Sequence, residues 1–172
     1  ERTEKSGAMI DAHPHISEEY IINCDLGGPV HFYDRQGKHL YALHANGQGP
    51  QEYYGIVAFT VDFPKEEFYI YDLRKLQVYS FAGEWKRTLK VPEGMRYENL
   101  FNYDEHHLIC ENAFHDWWNF ENLPIDKTPY YLINKETGTL TPLPIIVENR
   151  ISKTMEKRIE HIDAQRARRH FE

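Results

Sequence analysis

The residues best suited to chemistry lie in one stretch, FHDWWNFENLP at 114–124. It sets Trp117 and Trp118 beside His115, Asp116 and Asn119, with Phe114 and Phe120 flanking them. Indole faces stack on sugar rings and fill apolar pockets on proteins, while a neighbouring carboxylate or amide hydrogen-bonds polar groups. Trp117, Trp118, His115, Asp116 and Asn119 are therefore the candidate binding residues, for a glycan, a peptide or a protein. The competing role is a cover, in which the same aromatics fold back over a sheet edge.

Other chemistry is less well provided. His13 and His15 would point the same way on a strand, and His106 and His107 are adjacent, yet neither pair has further ligands at metal-binding spacing. No metal and no cofactor is expected. There is no Gly-x-Ser-x-Gly elbow or other nucleophile arrangement, so no catalytic residue is assigned. Asp25, Asp72, Asp104 and Asp116 would act as an acid–base pair only if the fold brought two of them together. The glycines of HANGQGPQEYYG (44–55) suggest a phosphate cradle, but no Lys-Ser/Thr pair follows and no helix begins there.

The elements that must position these residues form a repeat. VHFYDRQGKHLYAL (30–43) aligns with LQVYSFAGEWKRTL (76–89), Gly37 opposite Gly83. Each reads as strand, glycine turn, strand. Upstream, SEEYIINCD ends at Asp25 and PKEEFYIYD at Asp72. Their recurrence in phase favours carboxylates that accept turn N–H groups. A weaker third copy runs through NYDEHHLICEN (102–112) and YYLINKETGTL (130–140), its turn at Gly138, and the extra length sits in residues 113–128. A complete unit predicts four strands at about 56–62, 67–72, 76–81 and 84–91, the size of a β-propeller blade. The 44–55 stretch then falls between blades. Gly47 and Gly49 permit positive φ, Pro50 fixes its own, and Glu52 and Tyr53 follow. Gly47, Gly49, Pro50, Glu52 and Tyr53 are thus the expected structural connector, with Tyr53 and Tyr54 packed between neighbouring blades.

Composition agrees with one all-β domain. The chain has 172 residues, with 12 Tyr, 9 Phe and 3 Trp, side chains that pack well on pleated surfaces. A net charge of −7 argues against nucleic acid as a partner. The tail changes period: Ile151, Met155, Ile159 and Ile162 make one apolar helical stripe. The expected organisation is a partial propeller over 1–147, with units near 16–46, 56–92 and 97–147, and an amphipathic helix over 148–172. Cys24 and Cys110 fall on equivalent strands one or more blades apart, too far for a disulfide, so two buried thiols are expected.

Residues 20–92 strongly, and 97–147 weakly, resemble the six-bladed β-propeller proteins of gut Bacteroidetes, relatives of the NHL-repeat propellers. The matching positions are Gly47, Gly49, Pro50, Glu52, Tyr53, Asp72 and the Gly37–Lys38 turn; Gln51 stands where that pattern has Gly. The resemblance implies an exported protein, periplasmic or at the outer membrane, that meets a membrane only through a lipid anchor this chain lacks. Most such proteins have no assigned biochemical activity; the expected function here is a non-catalytic binding protein of the bacterial envelope, which uses a propeller face and the Trp117–Trp118 loop. The resemblance also leaves open a metal-dependent lyase or hydrolase of the NHL type. With two and a half to three blades here, it also leaves open a structural protein that completes its ring as a homo-oligomer.

Overall fold

The computed structural model describes residues 14–24, 28–112 and 130–144. The described residues form twelve strands in three four-stranded antiparallel sheets, each a simple meander. Blade 1 contains β1 (His15–Ile16), β2 (Tyr20–Cys24), β3 (Val30–Asp34) and β4 (His39–Leu43). Blade 2 contains β5 (Ala58–Asp62), β6 (Glu67–Tyr71), β7 (Leu76–Ser80) and β8 (Trp85–Leu89). Blade 3 contains β9 (Tyr97–Asn102), β10 (His107–Asn112), β11 (Tyr130–Asn134) and β12 (Leu140–Pro142). This is an incomplete, all-β propeller. The expected C-terminal helix, the 114–124 aromatic stretch, His13 and Asp25 lie outside the described residues.

The blades stack face to face. Ile22, Val30 and Phe32 of blade 1 meet Val61, Phe68, Ile70 and Tyr79 of blade 2 in one core. Tyr69, Tyr71, Leu76 and Val78 of blade 2 meet Leu100, Leu108, Cys110 and Ile133 of blade 3 in the other. Blade 2 is covered on both faces, so β6 (EFYIY) is buried at every position and is apolar from Phe68 to Tyr71 rather than alternating. The outer strands β4 (HLYAL) and β8 (WKRTL) are mostly exposed, and leave Leu40, Tyr41 and Trp85 partly in solvent.

The turn glycines work as the repeat predicts. Gly37, Gly83 and Gly138 sit at φ of 81°, 84° and 73°, in the left-handed region that favours glycine. Each donates its N–H back to the residue that opens the turn, Asp34, Ser80 or Asn134. In blades 1 and 2 the strand that follows the turn carries a bulge, with Leu40 the extra residue opposite Phe32/Tyr33 and Lys86 the extra residue opposite Val78/Tyr79. No disulfide joins the cysteines: Cys110 is fully buried, while Cys24 is only partly so.

Candidate functional site

The stretch from His44 to Val57 joins the outer strand of blade 1 to the inner strand of blade 2, and blade 2 holds it by its backbone. Lys75, Gln77 and Tyr79 alternate along one face of blade 2. Lys75 Nζ donates to the Gly49 and Pro50 carbonyls at 3.0 and 3.1 Å. Gln77 Nε2 donates to those of Pro50 and Glu52 at 2.8 and 3.3 Å, and the Tyr79 hydroxyl to that of Gln51 at 2.7 Å. Four consecutive carbonyls thus have side-chain donors. Gln77 is itself fixed, its Oε1 accepting from Trp85 Nε1 at 3.0 Å and from the Thr88 hydroxyl. Tyr53 is buried, packs edge-on to Tyr79 at 6.0 Å and donates to the Gly28 carbonyl. Burial pushes its phenol up to about 12.

Two expectations change here. Neither Gly47 nor Gly49 adopts positive φ. Space is the reason for glycine: Glu52 folds back so that its Oε2 accepts from Gly49 N at 2.8 Å, and a Cβ on Gly47 would lie 1.9 Å from that oxygen. Nor does Gln51 need positive φ, so its difference from the glycine pattern is accommodated. Tyr54 does not pack between blades. It is 66% exposed and lies under the Arg74 guanidinium, 5.4 Å from the ring centre.

Asp72 ties these parts together. Its Oδ1 accepts from Arg74 N and Lys75 N, both at 3.0 Å, and its Oδ2 from Tyr54 N at 3.3 Å. Asn112 does the same in blade 3, accepting from Arg96 N of the next connector at 2.8 Å. The turn held by Asp72 puts Leu73 at φ 75°, unusual for a side chain with a Cβ, and leaves it 50% exposed. Tyr54, Leu73 and Arg74 therefore share one rim. Asn112 and Tyr130, which flank residues 113–129, end their strands at this same rim, because β10–β11 corresponds to β6–β7.

The other candidates are separated. Asp104 caps the β9–β10 turn at the opposite end from Asp72, so these two carboxylates do not meet. Asp104 accepts from the backbone of His106 and His107, and His107 Nδ1 lies 3.0 Å from it. Slight desolvation opposes ionisation, but these bonds lower the Asp104 carboxyl. His15 packs edge-on to Phe59 at 5.3 Å. Among the described residues no three His, Cys, Asp or Glu converge as metal ligands. A cleft of about 110 Å³ between blades 1 and 2, lined by Leu43, His44, Tyr53, Phe68, Tyr79 and Gly83, falls short of ordinary small-molecule pockets.

One group escaped the sequence altogether. At the seam of blades 2 and 3, Arg87 makes paired bonds to Glu67 at 3.0 and 2.9 Å, and Tyr69 donates to Glu67 at 2.8 Å. Lys135, fully buried, donates to Asp62 Oδ2 at 2.6 Å and to the Asp104 carbonyl. The available signal was Glu67 sharing a period-two face with Tyr69 and Tyr71; Lys135 carried none.

Radially stacked four-stranded meanders, joined from outer strand to inner strand, define a β-propeller. The chain belongs to the family described as 6-bladed beta-propeller, which it matches over residues 16–158. Its fold is similar to a crystal structure from Bacteroides fragilis NCTC 9343 described as a "putative exported protein", with a TM-score of 0.63 at 12% identity. The match covers 85% of this chain and 41% of that one, so the chain spans less than half of that relative's length. No functionally curated protein matches the chain.

Proposed function

We propose that the protein is a non-catalytic binding protein of the bacterial envelope, which takes a glycan, peptide or protein on the connector rim of its propeller. The observation that carries this is Leu73. A left-handed backbone costs a residue with a Cβ about 1–2 kcal/mol, and the Asp72 bonds hold Leu73 there with its apolar side chain in solvent. Observed strain of this kind is a pointer to function. Beside it lies the exposed Tyr54–Arg74 pair, an aromatic face with a charged neighbour. Trp117 and Trp118 belong to the segment that leaves and re-enters the sheet at this rim, and they are proposed to complete the surface with His115, Asp116 and Asn119. The exported relative supports placement in the envelope.

The test is a fluorescence titration of the full chain against panels of soluble oligosaccharides and peptides. Saturable tryptophan quenching is expected, abolished by Trp117→Ala with Trp118→Ala and weakened by Tyr54→Ala. Leu73→Gly relieves the strain, so it should keep or raise stability while weakening binding at least fivefold. A flat response to both panels, or binding unchanged in Leu73→Gly, would sink the assignment to this rim.

A further inference from the structure

Arg74 is a cation without a carboxylate at the connector rim. Its guanidinium lies 5.4 Å from the centre of the Tyr54 ring, both side chains are exposed, and none of the ion pairs among the described residues includes it. The acids of the rim are engaged elsewhere. Asp72 is 5% exposed and commits both oxygens to backbone N–H groups, and Glu52 is folded back onto Gly49 N. Arg74 therefore keeps a planar fork of N–H donors, a shape that matches a carboxylate. Blade 2 has a neighbour packed on each face, so both walls of this part of the rim are in place. Two more cations stand near. Lys75 bonds only to the neutral Gly49 and Pro50 carbonyls, which leave its charge intact. Arg96 of the next connector is the other: burial raises the Tyr71 phenol, Arg96 is among the groups that oppose the rise, and Tyr71 donates to the Leu73 carbonyl at 3.3 Å.

The backbone of this rim has little left to offer a peptide. The N–H groups of Tyr54, Arg74 and Lys75 are taken by Asp72. The carbonyls from Gly49 to Glu52 are taken by Lys75, Gln77 and Tyr79, and that of Leu73 by Tyr71. A peptide added as a strand draws its affinity from main-chain bonds of this kind. What remains is side chains: an aromatic ring, an apolar Leu73 held in solvent and a cationic fork. These suit a sugar ring that bears a carboxylate, its C–H face against Tyr54 and Leu73 and its acid on Arg74. Dense polyanions suit the protein badly, because the chain as a whole carries −7 and repels them.

We infer that the ligand of the connector rim is an acidic glycan, a chain containing uronic acid residues, whose carboxylate Arg74 takes while the sugar ring lies against Tyr54 and Leu73. This rests on the rim being the binding surface proposed above, and it adds the class of ligand and the residue that selects it.

Calorimetric titration of the full chain tests this with trigalacturonate, a mannuronate trisaccharide and a hyaluronan tetrasaccharide, each beside its methyl ester. At least one acid should bind, and its ester, close in shape but uncharged, should bind about tenfold or more weakly, as expected for loss of a charge-assisted bond. Arg74→Leu should erase that preference, so that acid and ester bind equally, and should leave the urea midpoint unchanged because Arg74 is exposed. Arg74→Lys keeps the charge without the fork and should restore only part of the preference. Esters that bind as tightly as the acids overturn the inference, as does a preference for the acid that survives Arg74→Leu. A capped triglutamate peptide that binds as tightly as the best uronate overturns the choice of a glycan. Silence from every uronate, beside a neutral oligosaccharide or peptide whose binding Tyr54→Ala weakens and Arg74→Leu does not, overturns the inference and leaves the rim as a binding surface. Silence from the neutral oligosaccharides and peptides as well removes both.

Discussion

Lys135→Met is the sharpest test of how the blades are locked. Lys135 is completely buried, and its ammonium touches Asp62, itself 2% exposed, and the Asp104 carbonyl. Methionine keeps most of the stem and removes the charge. The Asp62 carboxylate is then left with Lys65 N at 3.4 Å as its remaining donor. Removing one member of a buried pair costs about 3–5 kcal/mol, since the survivor stays desolvated and uncompensated. Against a domain stability of about 5–15 kcal/mol this is a large fraction. The paired change Lys135→Met with Asp62→Leu replaces charges by apolar surface and should lie within about 2 kcal/mol of the parent. The equivalent place in the neighbouring seam, where Phe81 sits among rings, already works that way. Urea unfolding gives both values from the midpoint at constant slope. A loss below about 1 kcal/mol for Lys135→Met, or a double variant less stable than the single, would refute the account of this seam.

Three further outcomes follow from other parts of the fold. Burial acts to raise the Glu67 carboxyl, but hydrogen bonds from Arg87, Lys86 and Tyr69 overcome it and hold it at about 2, against 4.5 in an open chain. The folded value is the lower one, so its contribution of about 3 kcal/mol is whole above pH 4.5 and fades as pH falls toward 2. Glu67→Gln should flatten that acid limb of the stability curve, and an unaltered limb would count against the network. Gly37→Ala and Gly83→Ala both meet left-handed φ and should each lose about 1 kcal/mol; Gly83→Ala should lose at least about 1 kcal/mol more through its contact with Leu43, and equal losses in urea unfolding would dismiss the nesting contact. Burial pushes the Cys110 thiol up to about 12, so mass spectrometry should find it unlabelled by iodoacetamide at pH 8 until denaturant is added; labelling in the folded protein at the rate of a free thiol would contradict that burial.

Much of the architecture is legible along the chain. Gly37, Gly83 and Gly138 mark the hairpins because a left-handed turn selects glycine locally, whatever surrounds it. The strands predicted at 56–62, 67–72, 76–81 and 84–91 lie within two residues of those observed in blade 2, because period-two patterning and turn residues are local signals. Asp72 was readable as a turn acceptor for the same reason. The rim was harder to see. Tyr53 and Tyr54 are neighbours of one residue type, yet one is buried and the other faces solvent, since successive side chains of an extended chain point opposite ways and only the packed blade decides which is inside.

The sequence by itself determined the blade: its four strands, its glycine turns and the place of the connector between blades 1 and 2, all governed by interactions spanning a few residues. Tertiary structure alone decided what the blades do to one another. Lys135 finds Asp62 from 73 positions away, and Tyr79 finds the Gln51 carbonyl from 28. It also decided the crowding at Gly83, where a Cβ would lie 2.7 Å from Leu43 Cδ2 of the neighbouring blade. Such pairings leave no period in the chain, because a buried charge or a lost Cβ is chosen by whatever surface arrives opposite it, and that surface exists only once the blades have stacked.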